Sequence, residues 1–223
     1  PMKKQSLYED LKRQILTLAL EPGAVLDETA LSERYGISRT PLREVFRRLA
    51  GEGYLELTSH RGAAVSSMNH KTLRNFFLTA PLIYAAIGRL AADNATTAQR
   101  EAMVQAQRAF REAVADHDAD GMVYWNDAFH RLMGEMADNP YLRPSYERLL
   151  IEHARISQTF YRPRNPEMTR RLQQSVAHHE RMIEYLGRHD AEGLVAIIAE
   201  HWALSRDHLE TYVRPDPLPT ETG

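Results

Sequence analysis

The sequence predicts a mainly α-helical protein, an N-terminal winged helix-turn-helix followed by an antiparallel bundle of six to seven helices. Three observations predict it. Leu42, Val45, Phe46 and Leu49 recur at helical spacing directly after the turn Gly36-Ile37-Ser38. Tyr54-Leu55-Glu56-Leu57 alternates as a strand does. From His70 onward almost no strand pattern returns, and apolar residues at helical spacing alternate with caps and breakers.

In order, residues 6–20 form a first helix with Leu7, Leu11, Ile15 and Leu18 on one face, ended by Glu21-Pro22-Gly23. Residues 28–53 form two helices and a tight turn. Ala30, Leu31 and Tyr35 give the first of them an apolar side. Gly36 tolerates positive φ, Ile37 fills a small core, Ser38 stands where a cap is needed, and Pro41 lies near a helix start, where its missing N–H does least harm. Arg39, Arg43 and Arg47, each four apart, share another face. The turn Ser59-His60-Arg61-Gly62 and a return strand over Ala63-Ala64-Val65 complete a wing.

The first domain is expected to cover residues 1–69 and the second residues 70–213. The Pro- and Thr-rich residues 214–223 are expected to be a disordered tail. Six helices are expected over 71–92, with a kink at Pro81, and over 97–115, 119–137, 141–161, 167–188 and 191–213. The segments Asp116-His117-Asp118, Asp138-Asn139-Pro140, Arg162-Pro163-Arg164-Asn165-Pro166 and His189-Asp190 separate the last five of these.

Composition narrows the chemistry. With no Cys, disulfides, thiol catalysis and thiolate metal sites are excluded, in keeping with a reducing cytoplasm. No apolar run reads as a membrane span, and the start is not a signal peptide. The net charge is only −2, but Arg34, Arg39, Arg43, Arg47 and Arg48 crowd one short segment with a single acid, Glu44. Neither an HExxH pair, a Gly-rich phosphate loop nor a nucleophile elbow occurs. Two rival readings are a metal-dependent enzyme on the bundle and a constitutive DNA-binding protein. The first predicts turnover that is indifferent to Arg43, the second weak sequence preference and no response to a metabolite.

The stretch from about Tyr8 to Val65 resembles the DNA-binding domain of the GntR family of bacterial transcription regulators. The residues carrying the likeness are Leu20-Glu21-Pro22-Gly23, the run from Leu31 to Glu44, Leu49, Gly53-Tyr54-Leu55 and Arg61-Gly62. Residues 70–213 more loosely resemble the all-helical effector domain of the FadR-type branch, at Asn126-Asp127-Ala128-Phe129-His130 and around His179 and His201. The resemblance implies a homodimeric, ligand-responsive regulator, most simply a repressor, on a near-palindromic double-stranded operator. Arg39 and Arg43 are the expected base contacts, because Arg bridges guanine O6 and N7. Ser38 and Thr40 are expected at phosphates, with Arg34 and Arg47 adding charge. His60, Arg61 and Gly62 are expected at the minor groove or backbone.

The same resemblance implies one divalent ion held by Asn126, His130, His179 and His201. Imidazoles suit Zn²⁺ or Ni²⁺, with Mn²⁺ the third candidate. Here Asn126 stands where relatives carry Asp or Asn, and a neutral amide lacks the carboxylate charge. Asp127 and His178 are each one step, about 100°, around the helix from the neighbouring ligand position. Tyr84, Tyr124 and Met133 are expected to line an effector cavity. The implied effector is a small organic acid, yet Ala80 stands where many relatives carry an Arg for its carboxylate. That leaves a ligand bound mainly through the metal, or a larger and more apolar one.

Overall fold

A computed structural model describes residues 2–58, 62–158 and 160–213, with the side chains of residue 2 and of 208–213 left aside. Its elements are α1 (Met2–Leu16), α2 (Glu28–Tyr35), α3 (Arg39–Glu52), β1 (Leu55–Thr58), β2 (Gly62–Val65), α4 (His70–Asn94), α5 (Thr97–Ala115), α6 (Ala119–Met136), α7 (Arg143–Ser157), α8 (Pro166–Gly187) and α9 (Ala191–Val213).

The N-terminal part is a winged helix-turn-helix. Asp27 caps α2 by accepting from the Thr29 and Ala30 amides at 2.9 and 3.0 Å. Gly36 closes α2 in the left-handed conformation, φ 56°. The apolar face of α3, namely Leu42, Val45, Phe46 and Leu49, is buried together with Leu7, Leu11 and Ile15 of α1. Strands β1 and β2 pair antiparallel, Leu55 opposite Val65, and Val25 adds an isolated bridge to Ala64.

Two helices differ most from expectation, at both ends, spanning 2–16 in place of 6–20 and 143–157 in place of 141–161. The first helix spans Met2–Leu16, because Leu18 turns left-handed (φ 59°) and the Leu20 amide returns to the Gln14 carbonyl. Pro22-Gly23 therefore forms a turn within the loop and does not end the helix. The fourth bundle helix starts only at Arg143, because the Asn139 side chain holds the Tyr141 and Leu142 amides in a turn, each at 3.0 Å.

The six helices α4–α9 form the bundle, with α4 against α9, α5 against α6, α8 against α9 and α6 against α7. Helix α4 runs uninterrupted through Pro81, which lies on the exposed side, where a missing N–H is cheapest. Contrary to the sequence reading, α4 is long and apolar enough to cross a membrane by length and composition. It packs as a core helix, burying Phe76, Ala80, Tyr84, Ile87 and Ala91. Thr96 and Gln99 form a reciprocal capping box on α5. The breakers read in the sequence act through backbone geometry, since His117, Asp138 and His189 all adopt positive φ of 46–55° as their helices end. The expected tail, 214–223, lies outside the described residues.

Candidate functional site

On α3, Ser38, Arg39, Thr40, Arg43 and Arg47 are all exposed. Ser38 occupies the N-cap position, but its side chain makes no capping hydrogen bond. The first amides of α3 are thus left to an outside acceptor, and a helix N-terminus favours an anion. Arg43 reaches back to Glu28 at 3.1 Å. Arg39 and Arg47 make no ion pair among the described residues. Arg34 leaves this face and approaches Asp10 of α1 at 3.4 Å. Gly62 lies at the wing with φ 74°, beside the Glu28 carboxylate. His60 and Arg61 lie outside the described residues.

Inside the bundle, His130 (α6), His153 (α7), His179 (α8) and His201 (α9) are all buried. The donor nitrogens of His130, His153 and His201 lie within 4.8 Å of one another. The His179 ring centroid is 5.1 Å from that of His130 and 4.8 Å from that of His201. Asn126 is also buried and borders a small cavity with His153 and His201. Burial, helped by the neighbouring imidazoles, drives His130 and His201 well below the usual histidine range. Burial takes His153 to about 4 and, with nearby histidines adding, His179 to about 3. All four are therefore neutral near pH 7, with lone pairs available.

The hydrogen bonds orient this group. The Gln107 amide nitrogen donates to the Val176 carbonyl at 3.1 Å, which turns its oxygen to His179 Nδ1 at 3.0 Å. An amide oxygen accepts, so Nδ1 carries the proton and Nε2 holds a lone pair. Nε2 of His179, Nε2 of His130 and Nδ1 of His201 are buried with no hydrogen-bond partner among the described residues. Buried polar atoms left unpaired are costly, and three together fit a cation that binds imidazole nitrogen.

Ala80 is fully buried. Arg89, further along α4, pairs with Glu192 at the surface. Tyr84 and Met133 border a cavity of about 10 Å³ with His130, His153 and His201, so the site is closed to little more than one water. Tyr124 does not join them. It is 63% exposed, since two residues from Asn126 is about 200° around α6. It lines a separate cavity of about 590 Å³ between α1, α2 and α6, together with Arg34, Tyr35 and Asp127.

Residues 3–65 match the gntR family of bacterial regulatory proteins, and residues 82–204, more than half of the chain, match the FCD domain. The chain belongs to the GntR family. Its helical part is an FCD domain. It is 31% identical over 134 residues to the HTH-type transcriptional repressor RspR of Escherichia coli K12, covering 60% of this chain and 59% of that protein. It is 24% identical over 208 residues to the uncharacterized HTH-type transcriptional regulator YdhC of Bacillus subtilis, covering 91% and 89%. The match to RspR thus spans about three fifths of that protein's length. Among solved structures, E. coli McbR/YncC superposes with a TM-score of 0.75 at 21% identity, covering 94% of this chain and 96% of that one. At that identity the likeness concerns the fold.

In this GntR-family chain the helices that carry the cluster also brace the winged helix-turn-helix. On α6, Asp127 holds Arg131 at 2.7 Å, and Arg131 donates to the Tyr54 hydroxyl at 2.8 Å, just before β1. Asp127 therefore faces the seam and not the histidines. On α7, Glu152 accepts from Arg155 at 2.9 Å and from Arg148 at 2.7 Å, and Arg155 donates to the Ser66 carbonyl after β2 at 2.7 Å. Gln158 donates to the Leu16 carbonyl at the end of α1, 3.1 Å. Sequence reasoning missed His153 and Gln107. Flanked by Glu152 and Arg155, His153 reads as part of a solvated charged run. The usable signal was its register, since Tyr146, Leu150, His153 and Ser157 recur at helical spacing and all are buried.

Proposed function

We propose that this chain is a ligand-responsive regulator that binds a near-palindromic operator as a homodimer in the bacterial cytoplasm, acting as a repressor. In that reading the FCD domain holds one divalent ion, Zn²⁺ or Ni²⁺ before Mn²⁺, and a small-molecule effector of the organic-acid class beside it. The observation carrying the reading is the pairing of an exposed arginine face on an uncapped α3 with a closed histidine cluster on the helices that brace the wing.

Arg39 and Arg43 would meet base edges, Ser38 and Thr40 the phosphates, and Arg34 and Arg47 would add charge along the backbone. A second copy is supported by Leu78 and Leu82, 61% and 73% exposed and one turn apart on the apolar helix α4. His130, His179 and His201 would hold the ion, with Gln107 fixing the His179 tautomer. When bound, the ion supplies positive charge for an anionic group of the effector. Tyr84 and Met133 would contact that effector. Because the site is closed, admitting a ligand requires α6, α7 or α9 to shift. Such a shift would move Arg131 and Arg155 at the seam and so the two reading heads relative to each other.

Arg43→Ala tests the DNA side. It is expected to lose about 1–3 kcal/mol of specific operator binding while binding to random DNA largely survives. Gel-shift titrations on both DNAs measure this. Equal weakening on both would reduce Arg43 to a phosphate contact.

A further inference from the structure

We infer that His153 is a metal ligand of this chain and fills the coordination position that a neutral Asn126 serves poorly. The inference rests on the metal reading above and adds a residue to it. Among the described residues, His130, His153 and His201 have donor atoms that converge within 4.8 Å, and no carboxylate joins them. Of the contacts among the four rings, that of His153 with His130 is the shortest, 4.6 Å between centroids. In the tautomer in which Nδ1–H of His153 donates to the Tyr84 hydroxyl, 3.2 Å away, the ring is held and Nε2 keeps its lone pair for coordination.

Tyr84 is the one side-chain hydrogen-bond partner of His153 among the described residues. Its neighbours Glu152 and Arg155 pair with each other along α7 without it. The nearby acids are committed, Asp127 to Arg131 at 2.7 Å and Glu152 to Arg148 and Arg155 at 2.7 and 2.9 Å. A carboxylate cannot be recruited without leaving a buried guanidinium unpaired. An imidazole nitrogen is a better donor to Zn²⁺, Ni²⁺ or Co²⁺ than an amide oxygen, whereas Mn²⁺ prefers oxygen. The site therefore changes from a mixed oxygen–nitrogen set to imidazoles alone, and its selectivity shifts away from Mn²⁺.

The test uses the full chain stripped by chelator and titrated with Co²⁺, followed by visible absorption. The unsubstituted protein is expected to bind one ion that excess Mn²⁺ does not displace. His153→Ala is expected to weaken Co²⁺ by at least about tenfold and to change the band shape. Millimolar imidazole should restore both, because it refills the vacated position. Asn126→Ala should stay within about threefold of the unsubstituted protein, since the imidazoles remain. Circular dichroism checks each stripped variant. If His153→Ala is unfolded, His153→Gln takes its place with the same expected loss. Co²⁺ bound with unchanged affinity and spectrum in the His153 variant, yet lost in His130→Ala, would overturn this inference alone. No Co²⁺ uptake by the unsubstituted protein would remove the metal reading and this inference with it.

Discussion

Arg39, Arg43 and Arg47 stand exposed along α3, while His130, His153, His179 and His201 are sealed inside the bundle. The two regions keep their functional groups ready by opposite means. The arginines stand in water, and the fold below them depends on Leu42, Val45, Phe46 and Leu49 instead. The histidines keep lone pairs because burial expels their protons. A surface group can therefore change with little consequence for folding. A buried cluster is tied to the stability of the helices around it.

Acid should expose this difference most strongly. The folded-state pKa values of His153 and His179 are about 4 and 3, below the ordinary 6.5 that an unfolded chain would show. Between those values the unfolded state binds more protons. Their contribution to stability is present above pH 6.5 and is lost as pH falls toward 4. Each such histidine changes the folding equilibrium by about tenfold per pH unit in that window. Melting curves of chelator-treated protein at pH 7, 6 and 5 should fall steeply, and replacing His179 by Gln should flatten the trend. A melting temperature that is level from pH 7 to 5 would contradict the closed, neutral cluster.

The seam between the regions comes next. Arg155 is fully buried, and burial pulls its pKa down against the pull of Glu152. Glu152→Ala removes the counter-ion and leaves that guanidinium with only the Ser66 carbonyl as a hydrogen-bond partner. The expected cost is about 3–5 kcal/mol, the range for breaking a buried pair from one side. Urea unfolding measures it. A loss below about 1 kcal/mol would mean that water reaches the seam.

Legibility in the sequence follows the same division. The reading head is local, so its turn, its apolar face and its arginine face sit within one short run and spacing reveals them. Even there, spacing did not show that Ser38 leaves its cap bond unmade or that Arg34 turns to Asp10. The helices of the bundle were legible from their breakers, but its site is a convergence of four elements. Register placed Asn126 and His130 on one side of α6, and the family resemblance supplied His179 and His201. His153 was hidden by its charged neighbours, which point to the seam, and Tyr124 was misplaced because neighbourhood in sequence is not neighbourhood on a helix. Gln107 gave no signal at all, since its role depends on the Val176 carbonyl across the bundle.

The smallest expected effect belongs to the exposed side. Glu28 opens α2, lies beside Gly62 of the wing and pairs with Arg43 at 3.1 Å. The Arg43 side chain is 55% exposed, so the pair is largely screened and contributes about 0–1 kcal/mol to folding. On DNA the same carboxylate competes for Arg43 and repels nearby phosphate. Glu28→Gln should release the arginine and tighten operator binding by no more than about fivefold, the equivalent of a surface pair. Sequence preference should not change, because no base contact is added. The melting temperature should move only slightly, since a weak pair and a favourable charge at a helix N-terminus are lost together, each a fraction of a kcal/mol. Weaker specific binding in Glu28→Gln would reverse the reading, for Glu28 would then be positioning Arg43 for the groove and the surface would be as pre-organised as the buried cluster.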